Sequence, residues 1–182
     1  MSVLGATMIK AQQAGQVAAT AKHFPGLGAA TANQDTDVRP VTLNLSLATI
    51  RSLDEAPFQA AISAGVRLVM VSWAVYPSIQ ALPAGLSPKV VQGELRGRLK
   101  FTGVTITDAL EAGALKAYGS TQNRALLAAK AGMDLILASA QNVTQGKQVQ
   151  AALVAAYSSR TLNRTAFLAS VNRVIALRQS LR

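Results

Sequence analysis

A chain of 182 residues is long enough for one domain with a buried core. Half of the residues are apolar and 14% are charged, which excludes a disordered chain, and aromatics at 4% leave the core to Ala, Val, Leu and Ile. The net charge of +10 raises nucleic acid as a partner, yet the placement of the cations argues against it. Arg96, Arg98 and Lys100 sit around one helix end, and Arg160, Arg164, Arg173, Arg178 and Arg182 are spread along the tail. Without a basic block or aromatic interleaving, they read as a solvated helical surface, with attraction to an anionic polymer left open.

Met1–Lys10 lacks the basic-then-apolar order of a secretory signal, and no apolar run approaches the roughly 18 residues of a membrane span. The expectation is a soluble chain without a signal peptide, its compartment undetermined. The absence of cysteine excludes disulfides and thiolate metal sites. Val17–Phe24 is the first of four short apolar runs that fit buried strands. A helical pattern follows at Leu47, Ile50, Leu53, Phe58 and Ile62, then a second run at Val66–Ser72. Pro88–Leu99 is the next helix, with Ser87 as N-cap and Pro88 at the first helical position. Val104–Thr107 is the third run. Thr121–Lys130 forms a helix closed by Gly132, and Leu135–Ser139 is the fourth run. Two helical stretches, about Val143–Tyr157 and Leu162–Leu181, end the chain, the second capped by Thr161 or Asn163.

Strand, loop, helix, strand predicts βα units and a parallel sheet, either doubly wound or a (βα)8 barrel. Four units are half of a barrel, whose full length is about 250 residues. The chain therefore reads as a single partial-barrel domain over 1–182, with βα units over about 1–140 and closing helices over about 141–182. A half-barrel leaves a strand edge open, so it is either a fragment or a piece that pairs with another half or a second copy.

Parallel barrels carry their chemistry at strand C-terminal ends, which here are Lys22 and His23, Ser72 and Trp73, Thr107 and Asp108, and Ser139. Asp108 reads as a rigidly held carboxylate at the barrel mouth or as the N-cap of a helix over Ala109–Ala117. Lys22 and His23 read equally as adjacent donors suited to sugar hydroxyls or as a histidine satisfied by a backbone carbonyl and a lysine paired with a carboxylate. A tight turn through Pro25, Gly26 and Gly28 follows them. Trp73 offers a stacking face to a sugar ring or packs in the core. Arg96 and Arg98 read as surface residues and Asp134 as structural. No strand is followed by a glycine-rich phosphate loop, which disfavours a doubly wound phosphate-binding domain.

The runs KHFPGLG, PFQAAISAGV, LSPKVVQGELRGRLKFTGVTITDAL and AGMDLIL, in this order, resemble glycoside hydrolase family 3 over about residues 1–140, with the tail similar to its closing helices. The likeness is nearest to the β-N-acetylhexosaminidase branch. It implies the last four units of a (βα)8 barrel and a retaining exo-glycosidase acting on a carbohydrate, with no metal and no organic cofactor. It also implies Asp108 as the nucleophile that forms a covalent glycosyl-enzyme, and Lys22 and His23 as binders of sugar hydroxyls. The branch often carries an Asp-x-His pair after KHFPGHG as acid/base. A gap-free count from Lys22 puts Asn33 and Asp35 there, and His23 is the chain's single histidine. Asp35 is then the substitute acid/base or an Asx-turn residue. The alternatives that stay open are an inactive fragment or non-catalytic remnant that needs the other barrel half, and another β-glycosidase such as a β-glucosidase.

Overall fold

Short β-branched runs build the centre of the protein. In the computed structural model, which describes residues 2–181, three strands lie parallel in the order β1 (Thr20–Phe24), β2 (Leu68–Val71), β5 (Val104–Thr107). Val69 pairs with Thr105 and Met70 with Ile106 in continuous register, whereas the β1–β2 register shifts between Ala21 and Phe24. The Lys22–His23 and Phe24–Pro25 peptide bonds are cis. The expected strands thus form, each within its apolar run. The fourth run is a correction: Leu135–Ser139 lies beside β5 through a single Ile106–Leu135 bridge rather than a ladder. The Leu135 N–H donates to the Thr105 carbonyl (2.9 Å) and the Leu110 N–H to the Leu137 carbonyl (3.0 Å).

Parallel neighbours need long crossovers, and helices supply them. Between β1 and β2, Ser46 Oγ accepts from the Thr49 N–H (3.0 Å) and opens α2 (Leu47–Thr49), a wide π-helical turn (Ile50–Asp54) and α3 (Ala56–Ser63). Between β2 and β5, Ser87 Oγ accepts from the Val90 N–H (3.2 Å) at the head of a π-type helix (Lys89–Arg98), as its expected capping role requires. Ser120 caps α4 (Thr121–Ala131), and Gly132 closes it at φ 100°. Asn163, not Thr161, caps the helix that follows α5 (Val143–Ser158): its Oδ1 accepts from the Ala166 N–H (3.0 Å) at the start of α6 (Arg164–Gln179). Two elements lie outside the sequence-based expectations. One is α1 (Ser2–Ala14), tied down where Gln13 Nε2 donates to the Gly65 carbonyl (3.0 Å). The other is a hairpin of β3 (Val75–Tyr76) and β4 (Gln80–Pro83).

The two sheet faces differ. Val69, Val71, Thr105 and Thr107 are fully buried against the helices. Strand alternation puts Thr20, Lys22, Met70, Ile106 and Asp108 on the other face, where Thr20 and Lys22 are exposed and Met70 and Ile106 only half-buried.

At the N-terminal strand ends, Asp134 is a structural hub, in keeping with its expected role. Its fully buried carboxylate accepts from Arg96 Nη2 (2.6 Å), Arg173 Nη2 (2.7 Å) and the Thr105 N–H (2.9 Å). Arg96, its side chain 13% exposed, is accordingly not the surface residue it was expected to be, whereas Arg98 is exposed as expected while also serving buried carboxylates. Arg98 pairs with Glu94 (2.7 Å) and with fully buried Glu55, while Arg51 reaches Glu94 from the other side (2.7 Å). A buried carboxylate is tolerated only when paired, so these cations serve the interior.

Candidate active site

The C-terminal ends of β1 and β5 bring Asp108 and His23 together. Asp108 Oδ2 lies 3.6 Å from His23 Nε2, and the two side chains remain 19% and 26% exposed. That separation is beyond a hydrogen bond. Asp108 Oδ1 accepts from the Ala109 N–H (2.8 Å), so one oxygen is fixed and the other faces the histidine. Asp108 does not cap a helix, because the next helical turn, a 3-10 segment, spans Gly113–Tyr118 with Ala112 before it. The helix expected over Ala109–Ala117 is therefore displaced along the chain. Burial lowers the His23 pKa and the Lys22 cation acts in the same sense, outweighing the Asp108 and Asp37 carboxylates. His23 is thus a neutral imidazole at neutral pH, able to donate from one nitrogen. Lys22 is exposed beside it.

The turn after β1 is held from two sides. Tyr76 Oη donates to the Gly26 carbonyl (2.6 Å), and burial raises the tyrosine's pKa, so it stays a donor. Gly26 has φ 143°, and a Cβ there would lie 2.6 Å from Asp54 Cβ, so both conformation and space require glycine.

Beyond this turn lies the acidic loop Asn33-Gln34-Asp35-Thr36-Asp37. Asp35 is exposed, and its Oδ1 accepts from the Asp37 N–H (2.8 Å), which is the Asx-turn arrangement. Asp37 is likewise exposed and lies within electrostatic reach of the strand-end groups Asp108 and His23. Burial raises its pKa, as do the charges of Asp108, Asp35 and Glu111, against an opposing effect of His23. Glu111 accepts from Ser139 Oγ (2.6 Å) and Gln145 Nε2 (2.9 Å). Desolvation raises its pKa, but these bonds and backbone donors outweigh that and keep it low.

Trp73 offers no face to a ligand: it is fully buried, its Nε1–H donates to the Ala109 carbonyl (2.9 Å), and a Cβ at Gly85 would meet its ring at 2.6 Å. The packing reading of Trp73 therefore replaces sugar stacking. Ser72, also buried, accepts from the Ala74 N–H with its hydroxyl (2.9 Å).

Asp37, which the sequence reading did not single out, is electrostatically coupled to the strand-end groups. A loop two residues longer than the gap-free count assumes would align Asp35-Thr36-Asp37 with an Asp-x-His pair, and the repeated carboxylates were the available signal. Among the described residues no cluster of three or more His, Asp or Glu side chains is arranged to hold a metal ion. Two clefts lie elsewhere, one of about 300 Å³ beside Arg67, Phe101 and Arg173 and one of about 590 Å³ between α4, α5 and α6. Neither is lined by Asp108, His23 or Asp37.

A parallel α/β domain with its ionisable groups gathered at strand C-terminal ends has the layout of an α/β enzyme domain. The chain belongs to glycosyl hydrolase family 3: the family's N-terminal domain matches residues 1–177. The resemblance read from KHFPGLG and its companion motifs is thereby borne out at the level of the family.

The chain is 49% identical over 178 residues to an uncharacterized secreted glycosyl hydrolase of Arthroderma benhamiae, covering 97% of this chain and 50% of that protein. It is 37% identical over 168 residues to a beta-hexosaminidase of Stenotrophomonas maltophilia, covering 92% and 48%. Among solved structures, a family 3 beta-N-acetylglucosaminidase from a Paenibacillus species superposes with a TM-score of 0.93 at 36% identity, covering 99% of this chain and 34% of that one. The chain spans about half the length of these curated relatives. No helix among the described residues is long and apolar enough to cross a membrane.

Proposed function

We propose that this chain carries the catalytic groups of a retaining exo-β-glycosidase of the β-N-acetylhexosaminidase type, with Asp108 as nucleophile. The observation that carries the reading is Asp108 itself: a strand-end carboxylate with Oδ1 tethered to the Ala109 N–H and Oδ2 directed toward His23. Oδ2 attacks the anomeric carbon as the bond to the leaving oxygen breaks, and a glycosyl ester forms. Water then cleaves that ester, with net retention. Neutral His23 and the Lys22 ammonium donate to hydroxyls of the terminal sugar, and the acid/base belongs to the loop that carries Asp35 and Asp37. The beta-hexosaminidase and beta-N-acetylglucosaminidase names of the relatives support the choice of sugar.

The architecture belongs to the same proposal: the last four βα units of a (βα)8 barrel plus closing helices. Support comes from the parallel order β1-β2-β5, from the less covered face bearing Thr20, Lys22, Met70 and Ile106, and from the half-length match to the relatives. On this reading the 182 residues alone turn over weakly or not at all, because sugar contacts from the complementary half, or from a second copy in its place, are missing. Misplacement by about 1 Å can reduce a rate on the order of 100-fold.

The test is covalent trapping. The full gene product carrying this chain is incubated with a fluorinated N-acetylglucosaminyl fluoride that slows hydrolysis of a glycosyl-enzyme. The intact mass rises by one glycosyl unit, the label maps to the peptide containing Asp108, and Asp108→Ala abolishes it. A label on another residue, or none alongside normal turnover, removes Asp108 from the role.

A further inference from the structure

We infer that Asp37 is the proton donor and acceptor of this reaction, and that Gly113 is the positioning residue that seats its loop against the nucleophile segment. The inference rests on the retaining-glycosidase reading and adds to it the partner of Asp108.

The loop is internally braced. The Gln34 N–H donates to the Thr31 carbonyl (2.9 Å), the Arg39 N–H to the Asp35 carbonyl (3.1 Å), and Arg39 Nη2 to the Asn33 carbonyl (2.7 Å). It is also fastened to the segment that follows Asp108. The Gly113 N–H donates to the Asp37 carbonyl (2.7 Å) and the Ala114 N–H to the Thr36 carbonyl (3.0 Å), with Thr36 buried beneath. Only a residue without Cβ allows this approach. At position 113 a Cβ would overlap the Val38 carbonyl and lie 2.9 Å from the Asp37 carbonyl oxygen.

The two loop carboxylates differ in their engagements. Asp35 closes the Asx turn, whereas among the described residues no hydrogen bond holds the Asp37 carboxylate. The charged groups around Asp37 are Asp35 on its own loop, Asp108 after β5, Glu111 on the following turn, and His23, itself next to Lys22, on β1. Desolvation and these three carboxylates raise the Asp37 pKa against the opposing effect of His23, which is the direction a general acid needs.

In the first step Asp37 gives its proton to the glycosidic oxygen as the C1–O bond breaks and Asp108 bonds to C1, so the alcohol leaves neutral. In the second, water bonds to C1, its proton returns to Asp37, and Asp108 departs as carboxylate. The sum is glycoside plus water giving sugar plus alcohol.

The experiment uses the full gene product with dinitrophenyl and phenyl N-acetyl-β-glucosaminides. Asp37→Ala is expected to lower kcat/KM on the phenyl glycoside by about 100- to 10,000-fold. The dinitrophenyl glycoside, whose leaving group needs no proton, loses far less at the first step, and added azide restores its turnover as the β-glycosyl azide. Gly113→Ala, with an unchanged circular dichroism spectrum, reproduces that leaving-group dependence with a loss on the order of 100-fold. Asp35→Asn keeps the Asx acceptor and removes one charge, so the basic limb of kcat/KM moves to lower pH. Equal losses on both substrates for Asp37→Ala, or leaving-group dependence and azide rescue in Asp35→Ala instead, overturn the assignment while a trapped adduct on Asp108 leaves the parent reading intact. Failure of Asp108 to label overturns both.

Discussion

Asp134→Ala tests whether the N-terminal strand ends are held by one buried carboxylate. The substitution removes an acceptor with no side-chain exposure and strands two guanidinium groups, Arg96 at 13% and Arg173 at 26% exposure. It also leaves the Thr105 N–H, buried on the outer side of β5, without its 2.9 Å acceptor. Breaking one partner out of a buried ion pair costs about 3–5 kcal/mol. Both arginines retain some access to water, so the lower end applies, about 3 kcal/mol. With a urea m-value of about 2 kcal/mol/M, the unfolding midpoint falls by about 1.5 M. Arg173→Met is the control. It spares the Arg96–Asp134 pair and the Thr105 contact, and loses about 1.5 kcal/mol, the worth of a charged hydrogen bond. Equilibrium urea unfolding followed by far-ultraviolet circular dichroism reads both. If Asp134→Ala shifts the midpoint by less than about 0.5 M, or by no more than Arg173→Met, the hub does not hold the strand ends.

Two further outcomes follow from the same contacts. Trp73→Phe removes the indole donor from the Ala109 carbonyl, which keeps the Ala112 N–H at 3.2 Å, and opens space beside Gly85, so stability falls by about 1–2 kcal/mol in urea unfolding. A raised KM with unchanged stability would instead restore the tryptophan as a sugar-stacking face. His23, whose pKa burial lowers, takes up its proton more readily when unfolded. Stability is therefore full above the ordinary value of 6.5 and declines as pH falls from there toward the lowered folded value. The unfolding midpoint of His23→Gln declines less over that window, and coincident pH profiles for the two proteins would show that His23 is not buried in its neutral form.

What could be read from the chain depended on whether the signal was local. Val66–Ser72 and Val104–Thr107 are short runs rich in β-branched and apolar residues because one face of each strand is covered by helices, and they form where expected. Ser87, Ser120 and Asn163 cap helices through their own side chains, so their positions mark the boundaries. By contrast α1 leaves Val3, Leu4 and Met8 exposed and includes Gly5, so no apolar stripe announces it. The β3–β4 hairpin is short and punctuated by Pro77 and Pro83, which reads as loop. Arg96 and Arg98 look like solvent-facing charge because their partners, Asp134 and Glu55, are about 40 residues away in either direction and only the fold brings them near. Leu135–Ser139 has strand composition, yet it follows β5 without a full ladder.

The catalytic pair under the proposed reading shows the same division. Asp108 sits where a strand ends, and strand ends are visible in sequence. Asp37 sits in a loop whose length differs from the pattern, and its place is decided by a contact between residues 36–38 and 113–114. That contact lies wholly within this chain, so on the proposed reading residues of this chain tie the backbone of the proton donor to the segment after the nucleophile. Sugar binding differs, because Lys22 and His23 supply donors from one side of an open sheet face. Binding energy from remote contacts orients a substrate and is realised in the transition state. A complementary barrel half would then act through orientation of the sugar, while the acid and the nucleophile keep the arrangement that Gly113 sets.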